Sequence, residues 1–158
     1  YENLPRWIFA SSEKHFNMNI DQTRLPLFPE GFSKSAEEER LRNFCEFRMD
    51  GPNIRPRTKH QAEARFDINI LIQSTMRDDN FHVPLVDIGL VLAAFSTIPI
   101  YRYGEGTLDD GSLLGCASIT VQGRETEILV SQFGEIEAQL KLSQATVETT
   151  YLLSLTTT

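Results

Sequence analysis

The sequence predicts an α+β fold: a mainly antiparallel sheet with long strands, an N-terminal helix and one central apolar helix packed on one face. Three observations predict it. Between Ala62 and Gln73 apolar and polar residues alternate, with only Leu71 breaking the polar face, the mark of a half-buried strand. The segment from about Phe81 to Phe95 is apolar at helical spacing. Strand-like segments fall on both sides of that helix without the alternating helix–strand order of a parallel sheet.

The elements follow in order. Asn3 suits a helix cap and Pro5 its first turn; Trp7, Ile8, Phe9 and Phe16 supply apolar bulk, and Asn17 and Asn19 mark the end. Leu25-Pro26-Leu27-Phe28-Pro29 reads as extended, because each proline keeps its predecessor out of the helical region. A short strand at a sheet edge fits it, since proline is tolerated there. Ser33 to Arg40 is polar and reads as a surface loop or short helical turn carrying Glu37, Glu38 and Glu39.

Cys45, Phe47 and Met49 alternate with Glu46, Arg48 and Asp50, a second half-buried strand. Asp50-Gly51-Pro52-Asn53 is expected to stop it with a turn. In the clearest strand, Ala62, Ala64, Phe66, Ile68, Ile70 and Ile72 share one face, with Glu63, Arg65, Asp67, Asn69 and Gln73 on the other. A one-residue slip would expose all six apolar side chains, so register is strongly specified. Asp78, Asp79 and Asn80 offer caps for the central helix. Leu85, Ile88, Leu92 and Phe95 form its stripe, widened by Val86, Leu90, Val91, Ala93 and Ala94, so nearly its whole circumference should be covered. Ile98–Tyr103, Leu113–Gln122, Glu127–Phe133 and Leu142–Leu155 read as strands, with Gly104–Gly111 as a loop and Gly123-Arg124 as a hairpin turn. The strands at 62–73 and 142–155 are long for one small domain. Either part of the sheet projects and pairs with a neighbour, or bulges divide these runs.

Residues 1–158 read as a single domain, without repeats or linkers. The first residue is Tyr1 rather than Met, so native residues are expected before it. A net charge of −7 and a pI near 5.0 argue against tight binding of nucleic acid. No segment reads as a secretion signal or membrane span. Cys45 and Cys116 form no paired pattern and read as two buried thiols.

Candidate chemistry is sparse. His15, His60 and His82 are far apart, without metal-ligand spacing, and no metal or cofactor is expected. Gly104-Glu105-Gly106 matches no phosphate-binding loop, and its acidic neighbours repel phosphate. Glu105, Asp109 and Asp110 offer oxygens for calcium but lack the spacing of a calcium loop. Glu46, Asp67 and Glu148 are the carboxylates a small hydrolase would use, although carboxylates on a sheet face are usually just solvated. The one basic cluster is Arg55, Arg57 and Lys59, stiffened by Pro52 and Pro56. It reads as a solvated loop, as a dock for an acidic surface, with Glu37, Glu38 and Glu39 of an adjacent copy as the candidate subunit-interface partner, or as a phosphate contact for passing DNA.

In order along the chain, these segments resemble the tail terminator (tail-completion, neck) proteins of tailed phages. The features are the N-terminal helix, Leu25-Pro26-Leu27-Phe28 with Glu30-Gly31, Phe47-Arg48-Met49-Asp50-Gly51-Pro52, and the strand through Asn69-Ile70-Leu71-Ile72. The central helix, Ile98-Pro99-Ile100-Tyr101-Arg102-Tyr103-Gly104, Gln132-Phe133-Gly134 and the late strand with Glu148 and Tyr151 complete them. The resemblance implies a structural virion protein and not an enzyme. It implies a homo-oligomeric ring, a hexamer, at the head–tail junction, which caps the tail tube and lets DNA pass without specific binding. Partners would be the head–tail connector and tail tube proteins, with assembly in the host cytoplasm. Six copies would carry six times the −7 of one chain, consistent with a channel that does not grip phosphate. Another phage tail or connector subunit (tube or stopper), a carboxylate-dependent hydrolase and a monomeric peptide-binding module are the competing readings.

Overall fold

The structure, a computed structural model, describes residues 3–23, 25–29, 43–75, 82–103, 112–119, 128–137 and 142–156. Among these residues two helices, α1 (Leu4–Asn19) and α2 (His82–Ala94), accompany seven strands: β1 (Leu27–Pro29), β2 (Phe44–Pro56), β3 (Gln61–Thr75), β4 (Ile98–Tyr101), β5 (Leu113–Ile119), β6 (Leu129–Glu137) and β7 (Leu142–Thr156). The α+β class holds. The strands run in the order β1-β2-β3-β7-β5-β4, and β6 joins the same edge of the sheet by pairing with β7. The sheet is mixed, because β1 lies parallel to β2 while the other pairings are antiparallel.

The core follows from alternation. Ala62, Ala64, Phe66, Ile68, Ile70 and Ile72 are all buried, as are Ala145, Val147, Thr149, Tyr151, Leu153 and Leu155 of β7. Fully burying an isoleucine contributes about 1.5–3 kcal/mol, so the two strands are locked in one register. They pair without a break from Gln61–Thr156 to Thr75–Leu142. At about 3.3 Å per residue this ladder runs about 50 Å. No bulge divides it, and its long strands find their partners in each other.

A bulge does lie in β2, and it corrects the expected stop at Asp50-Gly51-Pro52-Asn53. The strand continues to Pro56, with its register shifting between Asp50 and Asn53. Asp50 pairs with Asp67 and Asn53 with Arg65, so β2 carries one extra residue there. Gly51 adopts φ +97°, and a Cβ on it would lie 3.0 Å from the Arg65 carbonyl oxygen, so glycine is required. The extra residue reverses the parity of the strand. Cys45, Phe47 and Met49 face β3's buried side at odd positions, and Ile54 does so at an even one, opposite Ala64.

α1 packs Leu4, Ile8, Ser11, Ser12 and Phe16 inward, at the spacing of one helical face. Asn3 makes no side-chain cap, contrary to expectation; its backbone carbonyl accepts the Trp7 N–H at 3.0 Å. The Trp7 indole donates to the Tyr103 carbonyl at 2.8 Å, and the Tyr101 N–H donates to Ser11 Oγ at 3.0 Å, so α1 covers the outer edge of β4. α2 lies against β3 and β7 and touches α1. Ile88, Val91 and Ala94 of α2, with Phe95 just beyond it, join the core. Among the described residues no helix is long and apolar enough to cross a membrane.

Candidate functional site

The side of the β2–β3–β7 ladder opposite the core carries the polar residues, arranged by register into cross-strand rows. Arg48, Asn69 and Glu148 form one row; Asp50, Asp67 and Thr150 the next; then Asn53, Arg65 and Leu152; then Arg55, Glu63 and Ser154. The β2–β3 hairpin closes beyond the last row. There the Gln61 carbonyl accepts the Arg57 N–H at 2.8 Å and the Thr58 N–H at 3.1 Å. The bulge at Gly51 is what puts Arg55, and not Ile54, on this outward side.

The basic cluster is therefore the tip of a hairpin. Arg55, Arg57 and Lys59 are all exposed. The Arg57 guanidinium bonds Glu63 at 2.6 Å, a surface pair that holds the tip's shape and adds little stability. Arg55 and Lys59 have no ion-pair partner among the described residues. Glu37, Glu38 and Glu39, the expected docking partner for this cluster, lie outside the described residues, as do Glu105, Asp109, Asp110 and the Gly123-Arg124 turn.

The three carboxylates of the hydrolase reading share this outward side, each engaged by a neighbour. Glu46 is buried and accepts from Arg48 Nε at 2.8 Å. Asp67 accepts from the Thr150 hydroxyl at 2.6 Å, and Glu148 from the Asn69 amide at 3.3 Å. The Asn69 side-chain oxygen Oδ1 is enclosed without a partner among the described residues. Among those residues no group of three His, Cys, Asp or Glu is placed to hold a metal ion.

His15 joins α1 to the end of α2. Its Nε2–H donates to the Ala94 carbonyl at 3.0 Å, which satisfies an end carbonyl of that helix, while Nδ1 faces the Asn19 amide at 3.4 Å. Burial holds the His15 pKa below its ordinary value, partly opposed by the bond to Ala94. The cysteines differ from each other, which corrects the expectation of two buried thiols. Cys45 is buried, and burial, followed by the charge of Asp87, pushes its pKa up to about 12. Cys116 is exposed on β5, where its strand position points away from buried Ala117.

The chain matches no known protein family, and no curated protein matches it.

Two apolar surfaces lie apart from the hairpin. On α2, Val86 is 48% exposed; Gly89 and Ala93 are also exposed, and Leu90 is half-buried. These positions repeat every three or four residues and so form one strip along the helix. A Cβ at Gly89 would meet nothing within 4 Å, so the strip is open above its middle. The near-complete cover expected for this helix is not supplied by the described residues. On α1, Phe9, Glu13 and Met18 border a groove of about 460 Å³ closed on one side by Tyr103. Met18 is 74% exposed, and burial raises the pKa of Glu13. Sequence reasoning found α2's excess of apolar residues but not the α1 groove, which depends on how Tyr103 meets the helix.

Proposed function

We propose that this chain is a structural subunit of a phage virion, a tail terminator whose copies close into a ring at the head–tail junction, cap the tail tube and let DNA pass. The observation that carries the reading is the open apolar strip of α2, Val86–Gly89–Leu90–Ala93. A helix apolar on both sides belongs inside an assembly, because water is a poor environment for its outer strip. The resemblance in segment order supplies the kind of assembly. In this reading a mainly antiparallel sheet of long strands holds the central helix on one face and turns its polar face outward, toward neighbouring subunits. The acidic balance of the chain suits a passage for DNA that does not bind it.

The test is the state of the chain in solution and in particles. Mass photometry of the purified protein is expected to show a ring of about six chains, and electron microscopy of particles a single ring at the head–tail junction. A chain that stays monomeric at every concentration and is absent from particles would remove the reading. Many stacked copies would reassign it to a tube subunit.

A further inference from the structure

The outward side of the sheet is divided by charge along its length. In its middle, Asp50, Asp67 and Glu148 are exposed, while the neighbouring Arg48 is taken up by Glu46. That leaves three negative charges on adjacent rows, with Arg65 alone on the row next to them. Asp50 and Asp67 also stand directly opposite each other, a pairing that like charges disfavour. Toward the hairpin tip the sign reverses. Arg55, Arg57, Lys59 and Arg65 outnumber Glu63, a positive end on a chain of net −7. Four residues along β3 separate the Asp67 row from the Glu63 row, about 13 Å. Within one copy the rigid ladder therefore keeps the basic tip from folding back onto the acidic rows.

Beyond Phe47, the edge of β2 that has no strand partner among the described residues is not suited to strand addition. Pro52 and Pro56 lack N–H donors, and the bulge breaks the spacing of the edge. Side-chain charge, not backbone pairing, is what this hairpin presents to a neighbour.

We infer that the outward side of the β2–β3–β7 ladder is a contact between copies of this chain, in which the basic hairpin tip of one copy (Arg55, Lys59) lies over the acidic rows (Asp50, Asp67, Glu148) of the next. Each copy both gives a tip and receives one. Taken head to tail, as the ring reading requires, the contact is heterologous and repeats until the rotation closes a ring; a reciprocal pair that stops at a two-fold dimer would overturn the ring direction. It rests on the ring reading above and names the surface that sets the direction of pairing. The neighbour's cations relieve the repulsion between Asp50 and Asp67, and the Arg57–Glu63 pair keeps the tip in shape without being part of the exchange.

Charge exchange tests it. A tip variant (Arg55→Glu with Lys59→Glu) and a row variant (Asp50→Lys with Asp67→Lys) are compared with the full wild-type chain by analytical ultracentrifugation at low and high salt. All four positions are exposed, and circular dichroism and thermal unfolding check that each variant folds. Wild-type association is expected to weaken as salt rises. Each variant alone should associate at least about 100-fold more weakly, and an equimolar mixture of the two should recover association by alternating in the ring. Association that survives both reversals overturns this assignment and leaves the ring reading standing. A wild-type chain that never associates overturns both. Binding of duplex DNA that the tip variant alone loses, with association unchanged, reassigns the tip to phosphate and also overturns the proposal.

Discussion

At the scale of single residues, Gly51 and His15 each do a task that their neighbours cannot. Gly51 sits at φ +97° with the Arg65 carbonyl in the space a Cβ would take. Gly51→Ala is expected to cost about 1–3 kcal/mol, the usual penalty for a side chain forced into such a conformation. Urea denaturation measures it, and an unchanged midpoint would mean that β2 can relax around the added methyl. His15 is held neutral by burial, so its pKa in the folded chain lies below the 6.5 of the unfolded one. The unfolded state therefore takes up the proton first as pH falls. The contribution of this residue is fully present above about pH 6.5 and is lost as pH drops through the folded-state value. His15→Gln should flatten the stability profile over that window. At pH 7.5 it should cost about 0.5–1.5 kcal/mol, the range for the lost hydrogen bond to Ala94. A variant with an unchanged slope below pH 6.5 would place the titration elsewhere.

At the scale of elements, the fifteen-residue ladder of β3 and β7 is the mechanical spine. Phe66 and Tyr151 stack at 5.6 Å on its buried side, and the Tyr151 hydroxyl donates to the Ser96 carbonyl at 3.1 Å, tying the ladder to the chain after α2. Tyr151→Phe should cost about 0.5–1.5 kcal/mol and Tyr151→Ala about 3–5 kcal/mol. Equal costs in the two variants would assign the whole effect to the hydroxyl. This spine was legible in the sequence, because period-two alternation states both the strand and its buried face, and the six buried positions of β3 from Ala62 to Ile72 were readable. The β2 bulge was misread as a turn. Asp-Gly-Pro-Asn is turn chemistry when read locally, and only pairing with β3 shows it as a kink within a strand. The clue present in the residues was the change of parity, from Cys45, Phe47 and Met49 to Ile54. The basic cluster was legible too. Its placement at a hairpin tip, with Arg57 already held by Glu63, was not, since that pairing depends on where the loop closes. The acidic rows stayed hidden for the same reason: Asp50, Asp67 and Glu148 lie far apart in sequence and meet only through register.

At the scale of the whole molecule, the strip on α2 and the charged sheet face differ in how they depend on solvent, and this separates their roles. The strip is apolar, so its burial is insensitive to salt, whereas exposed charges are screened within about 8–10 Å at physiological salt. Substituting the strip should therefore act on affinity at every salt concentration, while the sheet face acts on the direction of pairing and on the salt-dependent part of the affinity. Val86→Glu introduces a charge on a position that is 48% exposed in the single chain. The folded monomer tolerates it, with a change in stability within about 0.5 kcal/mol, as for other surface positions. An assembled α2 contact would not, because a carboxylate buried without a partner costs several kcal/mol. The expected outcome is a normal unfolding midpoint at low protein concentration with loss of the ring in mass photometry at every salt concentration. The salt sensitivity of the wild type should be absent from this variant, since no ring remains to be weakened. A Val86→Glu chain that still closes into rings would show that this strip faces solvent in the assembly, and the carrying observation for the ring would then be gone.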